Sequence, residues 1–233
     1  MKIKVCGMKY NTAEVATLQP DYLGFIFYDK SPRNFEGVIP ELPKSIKKVG
    51  VFVDEAIDII LQKIKKYNLD VIQLHGKEDV HYCASLKFEY HILKEQKRPA
   101  NWETHGGKFV MEDYIDKKII KVFSIKDELD FSQLQPYEDY VDYFLFDTKG
   151  KLPGGNGYTF NWDVLKDYPS TKPYFLSGGI GLEEMDNVLS FLQREESKYC
   201  HAIDINSKFE IKPGLKTIEK LEEFKKYVTS SDF

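Results

Sequence analysis

The stretch Tyr143-Phe144-Leu145-Phe146-Asp147-Thr148-Lys149-Gly150, followed by Gly154-Gly155-Asn156-Gly157, decides how the rest of the chain is read. An apolar run of strand length ends in a carboxylate and breaks into a glycine-rich loop, so one acid is delivered where backbone amides can gather around a ligand. The opening residues Lys2-Ile3-Lys4-Val5-Cys6-Gly7 have the same form, with a thiol in place of the acid. Two proton-carrying side chains at the ends of two strands, with further glycine loops of the phosphate-holding kind, point to acid–base chemistry on a phosphorylated small molecule.

Outward from that stretch, apolar runs of strand length recur at residues 3–6, 22–27, 49–53, 71–74, 119–125, 143–146, 173–176 and 202–205. The segments between them have helical character, clearest over 55–67, where Ile57, Ile60, Leu61 and Ile64 fall on one face. Residues 182–191 and 217–228 repeat the pattern, and shorter helices are expected at 12–18, 78–86 and 161–168. Strands too apolar to face water on either side, alternating with helices, form a parallel sheet. Eight such units predict an α/β fold of the (β/α)8 TIM barrel type, one domain over residues 1–233, with its site at the carboxyl ends of the strands. A doubly wound open sheet is the alternative. Two neighbouring units, Leu23-Gly24-Phe25-Ile26-Phe27 and Val49-Gly50-Val51-Phe52-Val53, resemble each other, and their shared glycine is expected to leave room inside the barrel. The segment 88–118 breaks the rhythm and is assigned to a peripheral insertion outside the barrel.

Hydrophobic residues make up 42% and charged residues 30% of the 233, and the net charge is −4. That balance offers no broad attraction to nucleic acid or an anionic membrane. No apolar run reaches the ~18 residues of a membrane span, and the start lacks a basic, apolar and cleavage-site pattern, so no signal peptide is expected. The three cysteines, Cys6, Cys83 and Cys200, are widely spaced and odd in number, which favours a reducing, cytoplasmic setting over disulfides or a zinc site. Without a Walker loop, a Rossmann glycine pattern or a metal-ligand cluster, no nucleotide, nicotinamide or metal cofactor is expected.

Asp147 closes a strand too apolar to hold a charge at its centre, so it belongs at the mouth; an aspartate there can also merely cap Thr148 or pair with Lys149. Cys6 holds the equivalent place on the first strand, where a thiolate favoured by its surroundings can act as a base. His75, in Gln73-Leu74-His75-Gly76, is a competing acid–base group, and Arg33, in Lys30-Ser31-Pro32-Arg33, is a fork for a carboxylate or phosphate. The run Ser177-Gly178-Gly179-Ile180-Gly181 after the seventh strand, with Asp204-Ile205-Asn206-Ser207 closing the eighth, lies where barrels hold phosphate on backbone N–H groups. Cys83 and Cys200 are read as packing residues, with Cys200 just ahead of the last strand.

These pieces together resemble the phosphoribosylanthranilate isomerase family. They are Lys4-Val5-Cys6-Gly7, Gly24-Phe25-Ile26-Phe27-Tyr28 with Lys30-Ser31-Pro32-Arg33, Val49-Gly50-Val51-Phe52-Val53, Gln73-Leu74-His75-Gly76, Phe146-Asp147-Thr148, Gly154-Gly155-Asn156-Gly157 with Phe160 and Trp162, Leu176-Ser177-Gly178-Gly179 and Asp204-Ile205-Asn206-Ser207, followed by Glu210, Pro213-Gly214 and Lys216. The segment 88–118 is longer than is usual there, and Lys9-Tyr10-Asn11 replaces a commoner Thr-Asn. The resemblance implies an Amadori rearrangement in tryptophan biosynthesis, with Asp147 as general acid, Cys6 as general base and no cofactor. It further implies that Arg33 meets the anthranilate carboxylate, that Ser177, Gly178, Gly179, Asn206 and Ser207 hold the phosphate, and that His75, Gly155, Asn156, Gly157 and Asp204 complete the substrate site. The expected partner is a phosphorylated small molecule, met by a monomer or homodimer. Another phosphosugar isomerase or epimerase on the same barrel, or a silent phosphosugar-binding scaffold, are the competing functions.

Overall fold

Each of the eight apolar runs forms a strand in the computed structural model, which describes residues 1–87, 117–126, 128–148 and 159–230. The strands are β1 (Lys2–Val5), β2 (Tyr22–Phe27), β3 (Lys47–Phe52), β4 (Val71–Leu74), β5 (Lys118–Ile125), β6 (Tyr143–Thr148), β7 (Tyr174–Leu176) and β8 (Cys200–Ile205). They pair in parallel and in chain order, and β8 closes on β1 through Lys2 opposite Ala202 and Val5 opposite Ile205. Closure leaves no sheet edge and excludes the open doubly wound sheet. β4 pairs directly with β5; apart from its last two residues, the segment 88–118 lies outside the described residues.

Strand residues alternate between two cores. Val49, Val51, Val71, Ile120, Val122, Leu145, Phe175 and Ala202 fill the inside of the barrel together with Tyr22 and Cys6. Their neighbours, such as Leu23, Phe25, Phe27, Phe52, Phe144 and Phe146, pack outward against the helical layer. The helix Ile57–Tyr67 buries Ile60, Ile64 and Tyr67 and ends at Asn68, whose φ of 48° closes it in the left-handed region. The C-terminal helix Ile218–Ser230 sets Leu221, Phe224 and Val228 against the same core. Residues 80–87 are helical as expected, whereas the expected helix at 161–168 is a 3-10 segment, Trp162–Asp167, opened by the Asn161 side chain accepting from Asp163 N.

Two local expectations change. Cys200 is the first residue of β8 rather than its forerunner, and Asp147 and Thr148 continue β6 beyond Phe146 because they pair with Ser124 and Ile125 of β5. The glycines of the two similar units also differ in what they do. A Cβ on Gly24 would meet Cys6 Sγ at 2.9 Å, inside the barrel, whereas one on Gly50 would meet the Leu69 and Phe52 side chains on the outer face. Only Gly24 makes room within the barrel, since Val49 and Val51 take the inward positions around Gly50.

Candidate active site

Strand ladders continue past the strand ends and hold the mouth residues in place. Cys6 N donates to Ile205 O at 2.9 Å, His75 N to Phe52 O at 2.8 Å and Ser177 N to Phe146 O at 2.9 Å. Cys6, Arg33, His75, Asp147, Ser177, Gly178, Gly179, Asp204, Asn206 and Ser207 therefore line one cleft at the carboxyl ends of the strands, closed on its sides by Ile26, Tyr28, Val51, Val53 and Gln73. Its empty volume is about 720 Å³, counting the open mouth, which suits a small-molecule ligand. Gly155, Asn156 and Gly157 lie outside the described residues.

Asp147 is 5% exposed, and its Oδ1 accepts from Thr148 N at 3.0 Å. Its other oxygen, Oδ2, lies 3.3 Å from His75 Nε2, and Gln73 Nε2 lies 3.2 Å from His75 Nδ1. The acid thus stands in a chain of polar side chains from β4 across to β6. Opposite it, Cys6 is also 5% exposed. Burial pushes its thiol above the ordinary range; the neighbouring ammonium groups of Lys4 and Lys216 work against that rise, and Asp204 works with it.

Beneath Cys6, the fully buried Lys4 donates to Asp204 Oδ2 at 2.7 Å. Burial raises the Asp204 carboxyl, against the pull of Lys4. Arg33 is clamped by Glu210, with Nε to Oε1 at 2.9 Å and Nη2 to Oε2 at 2.6 Å. Glu210 Oε1 also accepts from Lys216 Nζ at 2.9 Å, and Lys216 reaches Asn206 Oδ1 at 2.8 Å. Burial favours the neutral Glu210 acid, but Arg33 and Lys216 outweigh it and hold the carboxyl below its usual value. Burial also brings the Lys216 ammonium down to about 8, with Glu210 opposing the shift. This network aims Arg33 at the cleft through a rigid bidentate fork.

On the β7 and β8 side, Gly178 and Gly179 have φ of +95° and +67°, and a Cβ on Gly178 would run into Thr148. That left-handed turn is open to glycine, and successive backbone N–H groups in turns of this kind can hold an anion. Gly7, with φ of +74°, passes so close to Asn206 and Arg33 that a Cβ would meet Asn206 Oδ1 at 2.6 Å. Three participants escaped sequence reading as site residues: Lys4, Glu210 and Lys216. A lysine inside an apolar strand such as Ile3-Lys4-Val5 is the available signal for the first; the other two act over a tertiary contact that spacing does not reveal.

A closed barrel whose mouth sets an acid and a thiol against a glycine turn and a clamped arginine defines an acid–base enzyme for an anionic small molecule. The sequence profile of N-(5'-phosphoribosyl)anthranilate (PRA) isomerase matches residues 2–111 and 105–227. An N-(5'-phosphoribosyl)anthranilate isomerase from Parabacteroides distasonis is 39% identical over 232 residues, covering 96% of this chain and 91% of the relative. One from Campylobacter jejuni is 36% identical, covering 97% and 98%. The chain belongs to the N-(5'-phosphoribosyl)anthranilate isomerase family. The crystal structure of the Thermotoga maritima enzyme superposes with a TM-score of 0.74 at 24% identity, covering 99% of this chain and all of that one. Another, of a phosphoribosyl anthranilate isomerase in complex with reduced 1-(o-carboxyphenylamino)-1-deoxyribulose 5-phosphate, gives 0.71 at 23% identity and 99% coverage of this chain.

Proposed function

We propose that the cleft carries out the family's isomerisation of N-(5'-phosphoribosyl)anthranilate, with Asp147 as general acid and Cys6 as general base. The observation that carries this reading is that a carboxyl group and a thiol line the same cleft beside the Gly178–Gly179 turn. Asp147 gives its proton to the furanose ring oxygen; the C1–O bond breaks toward that oxygen, and the nitrogen lone pair forms the C1=N iminium. The cation acidifies the C2–H bond, so a modest base suffices: Cys6 takes that proton, and the bonding electrons form the C1=C2 enolamine, which tautomerises to the aminoketose. The two transfers leave a carboxylate and a thiol, and passage of one proton from the thiol to the carboxylate through solvent restores the protonated acid and the thiolate for the next turnover.

The phosphate is read onto the Gly178–Gly179 turn and the Asn206–Ser207 loop, whose N–H groups suit a dianion. The anthranilate carboxylate is read onto Arg33, which Glu210 presents to the cleft. His75 supports Asp147 by its 3.3 Å contact with Oδ2. Among the described residues no helix is long and apolar enough to cross a membrane. The enzyme is read as a cytoplasmic monomer or homodimer. Mixing purified protein with freshly made phosphoribosylanthranilate and following the decay of its fluorescence tests the reading. Asp147→Asn and Cys6→Ala are each expected to lower kcat by about 10²–10⁴ with thermal unfolding unchanged. Turnover near that of the unaltered enzyme in either variant refutes the assignment of that residue.

A further inference from the structure

A catalytic base needs its deprotonated form, yet Cys6 sits 5% exposed in the barrel interior, where burial works against a thiolate. Lys4 lies two residues earlier on the same strand, so its side chain points inward on the same face as Cys6. It is 0% exposed, and its ammonium donates to Asp204 Oδ2 at 2.7 Å, close enough to Cys6 for its charge to favour the thiolate. The other charges facing Cys6 are Asp204 on β8 and Lys216 on the strand Leu215–Lys216. Asp147 and His75 line the cleft beyond, and the β2 neighbour is the uncharged Gly24. A buried ion pair is weak evidence for stability, since apolar side chains of the same volume pack such a position at least as well. Most of the barrel's inner core is uncharged, from Val49, Val51, Val71, Ile120 and Val122 to Leu145, Phe175 and Ala202. Asp204 Oδ1 is moreover buried without a hydrogen-bond partner among the described residues, so the carboxylate is not placed there to satisfy the backbone.

We propose that Lys4 is a positioning residue for the reaction: held by Asp204 on the inward face it shares with Cys6, its ammonium favours the thiolate form of Cys6 that removes the C2 proton. The role rests on the reading of Cys6 as the base. When the thiolate takes the proton, the neutral thiol leaves Lys4 and Asp204 as a compensated pair, so the charge Lys4 balances is the one the reaction consumes. Asp204 keeps the ammonium charged in the dry interior: burial works to strip its proton, and Asp204 and Cys6 more than offset that.

The test reads the thiol itself. Alkylation by iodoacetamide, followed site by site by mass spectrometry as a function of pH, reports the thiolate fraction of each cysteine. In the unaltered protein Cys6 is expected to react with a midpoint well below those of Cys83 and Cys200, both of which burial drives up to about 12. Lys4→Met is expected to move the Cys6 midpoint up by at least about one unit and to slow its alkylation near neutral pH by about tenfold or more. Lys4→Arg keeps the charge and is expected to restore most of the reactivity, and kcat follows the thiolate fraction while KM moves little. Should Lys4→Met fail to fold, Lys4→Gln removes the charge, keeps a hydrogen-bond donor for Asp204 and reads the same midpoint. An unmoved Cys6 midpoint in either variant, or a Cys6 in the unaltered protein that titrates no lower than the other two, overturns the role of Lys4. Retained turnover in Cys6→Ala overturns only the assignment of the base.

Discussion

Gly24 and Gly50 stand at matching places in two similar strands, but adding one methyl group to each is expected to do different damage. At Gly24 the new Cβ would lie 2.9 Å from Cys6 Sγ and 3.1 Å from Cys6 Cα. Ordinary contact begins near 3.4 Å, so the sulfur or its backbone retreats by roughly 0.5 Å or more. Overpacking of this kind costs about 1–3 kcal/mol. A shift approaching 1 Å in a reacting group is worth about 10² in rate, so Gly24→Ala is expected to lose roughly ten- to a hundredfold in kcat. At Gly50 the methyl would meet Leu69 Cδ1 and the Phe52 ring on the outer face, at 2.5 Å and 2.8 Å. Those are side-chain atoms of the outer core, away from the cleft, so Gly50→Ala is expected to lower the unfolding midpoint by a comparable amount with kcat within about twofold of the parent. The assay is the fluorescence decay of phosphoribosylanthranilate at saturating substrate, paired with thermal unfolding of each variant. Native kcat in Gly24→Ala, or a larger kcat loss in Gly50→Ala than in Gly24→Ala, would refute the placement of Cys6 against β2.

Three further outcomes follow from buried charges. Glu210→Gln weakens the fork on Arg33 and leaves Arg33 and Lys216 without their carboxylate; it is expected to cost about 3–5 kcal/mol and to raise KM more than it lowers kcat, read from denaturant unfolding and initial rates. Lys121→Met strips the buried Glu78 of its 2.7 Å partner, where that carboxylate also ties Asp54 N and Gly76 N after β3 and β4. A loss of about 3–5 kcal/mol in urea unfolding is expected, and one below ~1 kcal/mol shows that the backbone amides hold Glu78 alone. His201, at the opposite end of the barrel, accepts or donates to Tyr22 OH at 2.7 Å, and burial, then Lys2, lowers it from 6.5 to about 4. The folded state resists the proton that the unfolded chain accepts, so this residue's contribution is full above pH 6.5 and is lost as pH falls from about 6.5 to about 4. His201→Gln is expected to flatten the pH dependence of stability in that window relative to the parent, and an identical slope in both proteins would rule the contribution out.

Much of the fold was legible because its driving force is local. A strand buried on both faces must be apolar throughout, and a helix packed on a barrel must show its stripe at Ile60 and Ile64 or at Leu221, Phe224 and Val228, so both leave periods in the chain. Strand ends were less legible: Asp147 and Thr148 joined β6 because β5 continues beside them, and ladder partners are not a local property. The 3-10 form of Trp162–Asp167 was hidden for the same reason, since helix and 3-10 segments of that length share one composition.

At the site, the sequence by itself determined the identities and order of the groups that matter: Cys6 and Asp147 at two strand ends, Gly178 and Gly179 after a third, and a set of motifs along the chain that resembled one family. Only the tertiary structure decided which of these face one cleft, and what stands around them. Barrel closure sets β1 beside β8, so Lys4 meets Asp204 across 200 positions of sequence, and the strand Glu210–Lys212 carries Glu210 back to Arg33. It also separated two glycines that look alike in the chain. The reason is physical: charge and steric fit fall off over a few ångströms in space, and a closed sheet makes spatial neighbours of residues that no sequence spacing relates.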